Sequence, residues 1–214
     1  MSDYRVLDLF CGLGGFSQAF AASDRWRVTT VDIEERFEPD HVADVFDLRP
    51  SDFDQQFDVV LASPPCKDFS LANHMSGEEH VIRGDSIALV FHALGLVRGL
   101  RPRYWFMENP TGHLRAWLGK PTATVTYCQY GKSYQKRTDL WGKHPPMTYR
   151  SCQRGADCHA NGRNITDNGA MPRDPAERAK VPAELSAAIR DACEAALDGD
   201  VAEQTTFSEV TGDE

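Results

Sequence analysis

A cysteine that follows two prolines is the first residue of this sequence whose type and position could do chemistry. Cys66 comes directly after Pro64 and Pro65, which themselves follow the apolar run at 59–62. A thiol becomes a nucleophile when it is ionised, and backbone amides at the end of a strand favour the thiolate. Two prolines restrict the backbone, so the loop should be stiff. The polar neighbours of Cys66 argue against the alternative of a buried core cysteine.

A carboxyl group follows a second apolar run. Glu108 ends the stretch Trp105-Phe106-Met107 and precedes Asn109-Pro110. A carboxyl group withdrawn from water at such a position can hold a proton and donate it to a ring nitrogen. Taken alone the observation is weak, because a glutamate at the end of a strand is more often a solvated cap.

A glycine-rich turn follows the first apolar run, in the order Cys11-Gly12-Leu13-Gly14-Gly15. Many α/β folds need glycine at this place for close packing, and the spacing differs from the dinucleotide fingerprint. Asp32 ends the next apolar run, where a carboxylate suits the hydroxyl pair of a ribose. The combination fits an adenosine-type ligand.

The elements that must position these residues alternate between strands and helices. This pattern predicts an α/β fold with a doubly wound, mostly parallel sheet. The carboxyl ends of parallel strands meet at one edge, so the three polar turns should converge there. Strands are predicted at 5–10, 26–31, 42–45, 57–62, 103–107, 122–127 and after 134–141, and helices at 16–22, 86–100 and 182–197.

Four stretches together resemble the DNA cytosine-5 methyltransferase family, in the order usual for that family and over about residues 4 to 142. The sequence resembles a small member of the phage or mobile-element type. The four stretches are DLFCGLGGF at 8–16, PPCKDFS at 64–70, FMENP at 106–110 and YGKSYQKR at 130–137.

The resemblance implies a Rossmann-like fold that binds S-adenosylmethionine and transfers its methyl group to carbon 5 of a cytosine in DNA. Cys66 would add to ring carbon 6, Glu108 would contact ring nitrogen 3, and Arg137 would hold the carbonyl oxygen of the base. The base would be turned out of the duplex to reach them. The residues implied to bind the cofactor are Phe10, Gly12, Leu13, Gly14, Gly15, Asp32, Ile33, Asp44, Val45 and Pro65.

Charge is distributed unevenly along the chain. The formal net charge is -9, yet residues 101–163 hold 11 Lys or Arg and 3 Asp or Glu. A basic segment in an acidic protein favours an anionic partner, and by the resemblance this is DNA. We expect a catalytic and cofactor-binding core at 1–142, a short target-recognition or loop region at 143–180, a C-terminal helix at 181–197 that packs back on the core, and a disordered acidic tail at 198–214.

Two features depart from the family. Asp139 stands where many relatives have a second arginine, and only 40 residues separate Trp141 from Pro182, where relatives usually have a substantial recognition domain. The reduced recognition region predicts a short or loosely defined target site, or a homodimer or partner subunit that completes recognition. Two other functions remain open: a tRNA cytosine-5 methyltransferase, and a catalytically silent relative that binds DNA or a partner enzyme.

The six cysteines, without a signal peptide, favour reduced thiols over a disulfide framework. Cys152, Cys158 and His159 raise the question of zinc, for which Cys128 or His144 would supply a fourth ligand. Because the spacing is not a familiar metal motif, free loop thiols are favoured and no metal is assigned. The absence of a long apolar run leads us to expect a cytoplasmic protein without a membrane span.

Overall fold

The computed structural model describes residues 4–70, 82–153, 156–159 and 172–199. In this part of the chain the strands form one seven-stranded sheet in the order β3-β2-β1-β4-β5-β7-β6. The strands are β1 (Tyr4–Leu9), β2 (Trp26–Asp32), β3 (His41–Val42), β4 (Val59–Ala62), β5 (Tyr104–Pro110), β6 (Ala123–Thr126) and β7 (Arg137–Lys143). The helices are α1 (Gln18–Ala21), α2 (Gly84–Leu100), α3 (Arg115–Leu118), α4 (Pro175–Ala179) and α5 (Ala183–Leu197).

Side chains of the central strands alternate between two apolar layers, as the two-residue period of a strand requires. Val59 and Leu61 of β4 face the layer that contains Leu185 and Ile189 of α5. Val60 and Ala62 face the opposite layer, which contains Leu96 and Val97 of α2. Since both faces of the sheet are covered by helices, β4 is wholly apolar and buried, as parallel strands generally are, and β1 is buried from Val6 to Leu9.

The direction of β7 brings additional residues to the carboxyl edge of the sheet. Strands β1 to β5 are parallel, whereas β7 runs antiparallel to β5 and to β6. Its amino end therefore lies beside the carboxyl end of β5, where Leu140 pairs with Glu108 and Thr138 with Pro110. The residues that begin β7 thus join the turns that follow β1, β2 and β4.

The predicted fold class is confirmed: the sheet is mostly parallel, with helices on both faces. The predicted strand 42–45 is wrong in extent, because β3 ends at Val42 and a 3-10 turn follows at Val45–Asp47. The side chain of Asp44 accepts a hydrogen bond from Phe46 N at 2.9 Å, and this cap starts the turn and ends the strand.

The region after β7 contains a short helix that the sequence analysis missed. Helix α4 begins with Asp174 as its N-cap and Pro175 at its first position, a pair of residue types that favours a helix start. Asp198, predicted to begin the disordered tail, is instead the last cap of α5 and accepts hydrogen bonds from Tyr4 and Arg25. The rest of the predicted tail, from residue 200 onward, lies outside the described residues.

Among the described helices, none combines the length and the apolar character needed to cross a bilayer.

Candidate active site

The turn after β1 leaves open space on one side of its backbone. Phe10, Gly12 and Gly14 have φ values of 62°, 50° and 68°, in the left-handed region. A Cβ atom added to Gly12 or Gly14 would meet no atom within 4 Å. Gly15 differs, because a Cβ atom there would lie 2.7 Å from the backbone nitrogen of Val181. Gly15 therefore permits close packing of the segment before α5, while Gly12 and Gly14 border the open side.

Asp32 fixes this turn to the end of β2. Its side chain is 8% exposed, and its two oxygens accept hydrogen bonds from Gly12 N at 2.8 Å and Glu34 N at 2.9 Å. Each carboxylate oxygen keeps a second lone pair for a ligand. Asp32 is thus held in one orientation by backbone donors.

Apolar side chains surround this part of the edge without being buried. Ile33 is 62% exposed, Leu13 40% and Phe46 41%. Phe46 was not predicted as a site residue. The sequence signal that could have pointed to it is an aromatic residue two positions after Asp44. Val45, by contrast, is buried in the core and packs the 3-10 turn Val45–Asp47 against it.

Backbone hydrogen bonds hold the loop that carries Cys66 against the loop that follows β5. The Cys66 carbonyl accepts from Phe69 N and Ser70 N, both at 3.0 Å, which closes a tight turn. The side chain of Asn109 donates to Pro64 O at 3.0 Å, and His113 N donates to Phe69 O at 2.9 Å. Pro64 is buried, whereas Pro65 is exposed and Cys66 is half-buried. The loop is therefore fixed from both of its ends.

The electrostatics of Cys66 differ from the sequence-based expectation. Burial raises the pKa of the Cys66 thiol above its usual value, and the nearby Glu108 carboxylate raises it further. The positive charges of Lys136 and Arg178 and the Cys66 backbone amide act in the opposite direction but are outweighed. The backbone amide does lower the pKa of the thiol, as expected. Removal of Cys66 from water raises that pKa by more. The effect of Glu108 on Cys66 shows that the two side chains lie near one another.

Glu108 lies in a buried polar cluster. Its side chain is 5% exposed, and Oε1 accepts a hydrogen bond from the Tyr127 hydroxyl at 3.0 Å. The Lys136 ammonium lies 3.6 Å from the same oxygen. Burial, and then the charge of Glu108, raises the pKa of Tyr127 well above its usual value, so the phenol keeps its proton and donates. The Glu108 carboxyl group is thus oriented from the side of β7.

Lys136 also contacts the region that follows β7. Its Nζ donates to the carbonyl oxygen of Arg178 in α4 at 3.1 Å and lies 4.6 Å from the centre of the Tyr127 ring. The sequence analysis missed both Lys136 and Tyr127. The pairing of β5 with β7 reveals the position of Lys136. Leu140 pairs with Glu108, and residues 136, 138 and 140 share one face of the chain, so Lys136 lies on the same face as Glu108.

Arg137, predicted as the third catalytic residue, is exposed at the start of β7. It is the adjacent Lys136 that lies beside Glu108. Asp139, on the same strand, is fully buried and accepts from Arg115 Nε and Nη2, both at 2.6 Å, and from Thr124 at 2.7 Å. The aspartate that replaces the family's second arginine is therefore held in a local ion pair with Arg115.

The described basic residues of segment 101–163 do not all lie at this edge. Arg103 precedes β5 and Lys143 pairs with Trp105, so both lie at the opposite end of the strand from Glu108. At about 3.3 Å per residue, Arg103 is roughly 17 Å along the strand from Glu108. A groove lined in part by Arg103 also lies at that opposite end. That segment 101–163 contacts DNA stays a prediction, and its first residues would have to do so away from the carboxyl edge.

Comparisons with known proteins agree with the motifs found in the sequence. The family described as C-5 cytosine-specific DNA methylase matches residues 4–125. The Frog virus 3 (isolate Goorha) protein named "Probable DNA (cytosine-5)-methyltransferase" is 29% identical over 224 residues, which cover 88% of this chain and 100% of the viral protein. Type II methyltransferase M.HaeII of Haemophilus aegyptius is 30% identical over 117 residues, which cover 51% of this chain and 35% of M.HaeII.

Among solved structures, the Entamoeba histolytica methyltransferase EhMeth has a TM-score of 0.49 at 14% identity, covering 78% of this chain and 61% of that one. The chain thus spans the whole viral relative but only about a third of M.HaeII. The family match covers more than half of the residues and includes the turn after β1, the Cys66 loop and Glu108. This chain belongs to the C-5 cytosine-specific DNA methylase family.

Proposed function

We propose that the protein transfers a methyl group from S-adenosylmethionine to carbon 5 of cytosine in DNA, through a covalent adduct of Cys66. The observation that carries the proposal is the hydrogen bond from Asn109, next to Glu108, to Pro64 O, which holds the Cys66 loop beside the end of β5. Consistent with this, the charge of Glu108 raises the pKa of the Cys66 thiol. A thiol and a carboxyl group at one rim are the two groups needed to activate a pyrimidine ring.

In the proposed reaction the Cys66 sulfur forms a bond to ring carbon 6 of the cytosine. The electron pair of the 5,6 double bond then becomes available at carbon 5, while Glu108 gives a proton to ring nitrogen 3. Carbon 5 takes the methyl group, and the electron pair of the broken sulfur–methyl bond stays on the donor sulfur as a thioether. A base such as water then takes the proton from carbon 5, the carbon–sulfur bond to Cys66 breaks to restore the double bond and the thiolate, and ring nitrogen 3 returns its proton to Glu108. Because the charge of Glu108 raises the pKa of the Cys66 thiol, loss of that charge would favour the thiolate.

Lys136 and Tyr127 would set the orientation of Glu108 during these steps. Both approach the Oε1 atom, which leaves the other carboxyl oxygen to face the base. Arg137, exposed at the same edge, would contact the carbonyl oxygen of the base or a phosphate. We assign Cys66 and Glu108 to the chemistry and Lys136 to the positioning of Glu108.

The turn after β1 and the end of β2 fit the cofactor. S-adenosylmethionine supplies an electrophilic methyl group on a sulfonium. Because the space beside Gly12 and Gly14 is open, the cofactor would be able to approach the backbone of the turn closely. The fixed Asp32 carboxylate would accept from the ribose hydroxyls, and the exposed Ile33 and Phe46 would pack on the adenine. Phe10, Leu13, Asp44 and Pro65 stay in the proposed cofactor set by resemblance.

The target carbon lies inside a stacked duplex, so the base must be turned out into the pocket at a cost of a few kcal/mol. Contacts to phosphates would offset this cost. With few residues after β7 available to read sequence, we propose a short target site or a second subunit. Bisulfite mapping in an expressing host tests this: methylation confined to a long motif by the monomer would contradict it.

The decisive experiment incubates the purified protein with methyl-labelled S-adenosylmethionine and either duplex DNA or tRNA. Wild type should label DNA, and Cys66→Ala should not. Duplex DNA that contains 5-fluorocytosine should trap wild type as a covalent complex and leave Cys66→Ala free. If only tRNA is labelled, the substrate is RNA and the proposed DNA substrate is wrong. A folded protein that binds DNA but neither transfers the methyl group nor is trapped would overturn the proposal.

A further inference from the structure

Four potential metal ligands converge beside the edge strand β6, away from Cys66 and Glu108. Cys128, Cys152, Cys158 and His159 place their sulfur or nitrogen atoms within 4.8 Å of one another. The Sγ atoms of Cys128 and Cys152 are 3.2 Å apart, and those of Cys128 and Cys158 are 3.7 Å apart. The His159 Nδ1 atom lies 3.7 Å from Cys152 Sγ and 3.4 Å from Cys158 Sγ. All three cysteines are free thiols.

These separations match the edges of a tetrahedron around zinc. With Zn–S bonds of about 2.3 Å and Zn–N bonds of about 2.0 to 2.1 Å, tetrahedral angles place two sulfurs about 3.8 Å apart and a sulfur and a nitrogen about 3.6 Å apart. Three of the four distances given above fall within a few tenths of an ångström of these values. The Cys128–Cys152 pair is closer, and the remaining pairs lie within 4.8 Å. Three sulfurs and one imidazole form a closed set of the kind that structural zinc sites use.

The site is held in place by residues of the sheet edge. Cys128 lies in the 3-10 turn Tyr127–Tyr130 that follows β6. The backbone nitrogen of Cys152 donates to Thr126 Oγ1 at 2.8 Å, which fixes the second ligand to β6. The Gln135 side chain donates to Cys152 Sγ at 3.1 Å. A donor to a ligand sulfur is the kind of outer contact that orients and stabilises a metal thiolate.

His144, the other candidate for the fourth ligand, is occupied elsewhere. Its ring stacks on Phe106 with ring centres 4.1 Å apart, and its Nδ1 atom shares a hydrogen bond with the Tyr149 hydroxyl at 2.6 Å. Cys128 therefore completes the set. The sequence analysis favoured free loop thiols, and the convergence of four side chains from three separate stretches reverses that preference.

We propose that Cys128, Cys152, Cys158 and His159 bind one structural Zn²⁺. The metal joins the turn after β6 to the segment 152–159 and so fastens part of the short region after β7 to the sheet. Because all four positions around the metal are filled by the protein, it has no open position for substrate. The proposal is independent of the proposed function.

Metal analysis of the intact protein, produced with zinc in the medium and dialysed without chelator, tests the site. We expect one zinc per chain and at least a tenfold lower content in Cys158→Ser, whose side chain is exposed enough to be changed without opening the core. Cys66→Ser is the matched control, since it also replaces a thiol in a loop but lies outside the cluster; it should keep its zinc.

Cobalt in place of zinc gives a readout of the ligands. The cobalt protein should show the intense visible bands of a tetrahedral site and a thiolate charge-transfer band, both absent from Cys158→Ser and present in Cys66→Ser. Thermal unfolding should shift to lower temperature when wild type is treated with a chelator and should not shift for Cys158→Ser. Wild type that retains no zinc, or Cys158→Ser that retains a full equivalent, would overturn the assignment.

Discussion

Replacing Lys136 by methionine tests whether the buried cation next to Glu108 is needed to hold that carboxylate. The two side chains are 11% and 5% exposed, and their charged atoms are 3.6 Å apart. At an effective dielectric constant of about 20, such a pair attracts by about 4 to 5 kcal/mol before the loss of hydration is subtracted. Removing one partner leaves a buried charge, for which a cost of about 3 kcal/mol is expected.

A double-mutant cycle separates the ion pair from the other contacts of Lys136. The side chain also donates to Arg178 O and lies over the Tyr127 ring, and methionine loses both contacts. In a Glu108→Gln background the carboxylate charge is already absent, so Lys136→Met should cost only about 1 kcal/mol. The expected coupling free energy is therefore about 2 kcal/mol.

Urea unfolding of the four proteins, followed by tryptophan fluorescence at constant pH, measures this coupling. Lys143→Met is the matched control, because Lys143 is an exposed lysine at the far end of β7; its unfolding free energy should stay within about 0.5 kcal/mol of wild type. A coupling below about 0.5 kcal/mol, with normal unfolding slopes, would show that the effects are additive and would refute the reasoning.

Three further predictions follow from the site and its surroundings. Burial raises the pKa of Asp8 from 3.8 to about 7, so the native state binds this proton more tightly than the unfolded chain. Stability should then fall between about pH 4 and 7, by up to about 4 kcal/mol; Asp8→Asn should flatten the profile of urea midpoints against pH, and an unchanged profile would count against it. Asp139→Asn should lower the unfolding free energy by about 2 kcal/mol, because Arg115 loses a charged bidentate partner; a change near zero in urea unfolding would contradict this. Gly14→Ala and Gly119→Ala both place a side chain at positive φ in open space, but calorimetry should show at least a tenfold loss of S-adenosylhomocysteine affinity for Gly14→Ala alone.

The residues at strand ends were accessible from the sequence because their positions follow from local patterns. Glu108 and Asp32 come directly after an apolar run and Cys66 lies four residues after one, and parallel strands place all such ends at one edge. The glycine turn was recognisable for the same reason. No long-range information is needed for these assignments beyond the alternation of strands and helices.

The environment of Glu108 was not accessible in this way. Lys136 and Tyr127 reach it only because β7 inserts antiparallel between β5 and β6. A one-residue shift of that register would turn Lys136 to the opposite face and Arg137 toward Glu108. Sequence motifs name the stretch 130–137, but the pairing decides which of its two adjacent cations enters the buried cluster.

The metal cluster illustrates a second limit of sequence reasoning. Cys152, Cys158 and His159 are close in sequence, but Cys128 joins them only through the docking of residue 152 on Thr126. Spacing rules detect ligands that come in local pairs, and they fail when one ligand comes from a turn at the sheet edge. Three-dimensional convergence is what separates a metal site from a set of loop thiols.

Two adjacent residues connect the region after β7 to the candidate active site. Gln135 donates to Cys152 in the proposed zinc cluster, and Lys136 contacts both Glu108 and the carbonyl oxygen of Arg178. Arg178 in turn acts on the charge of Cys66. The described parts of this short region therefore contact the candidate active site, because they hold the two residues that precede β7. We expect that loss of the zinc cluster would also disturb the position of the cation beside Glu108.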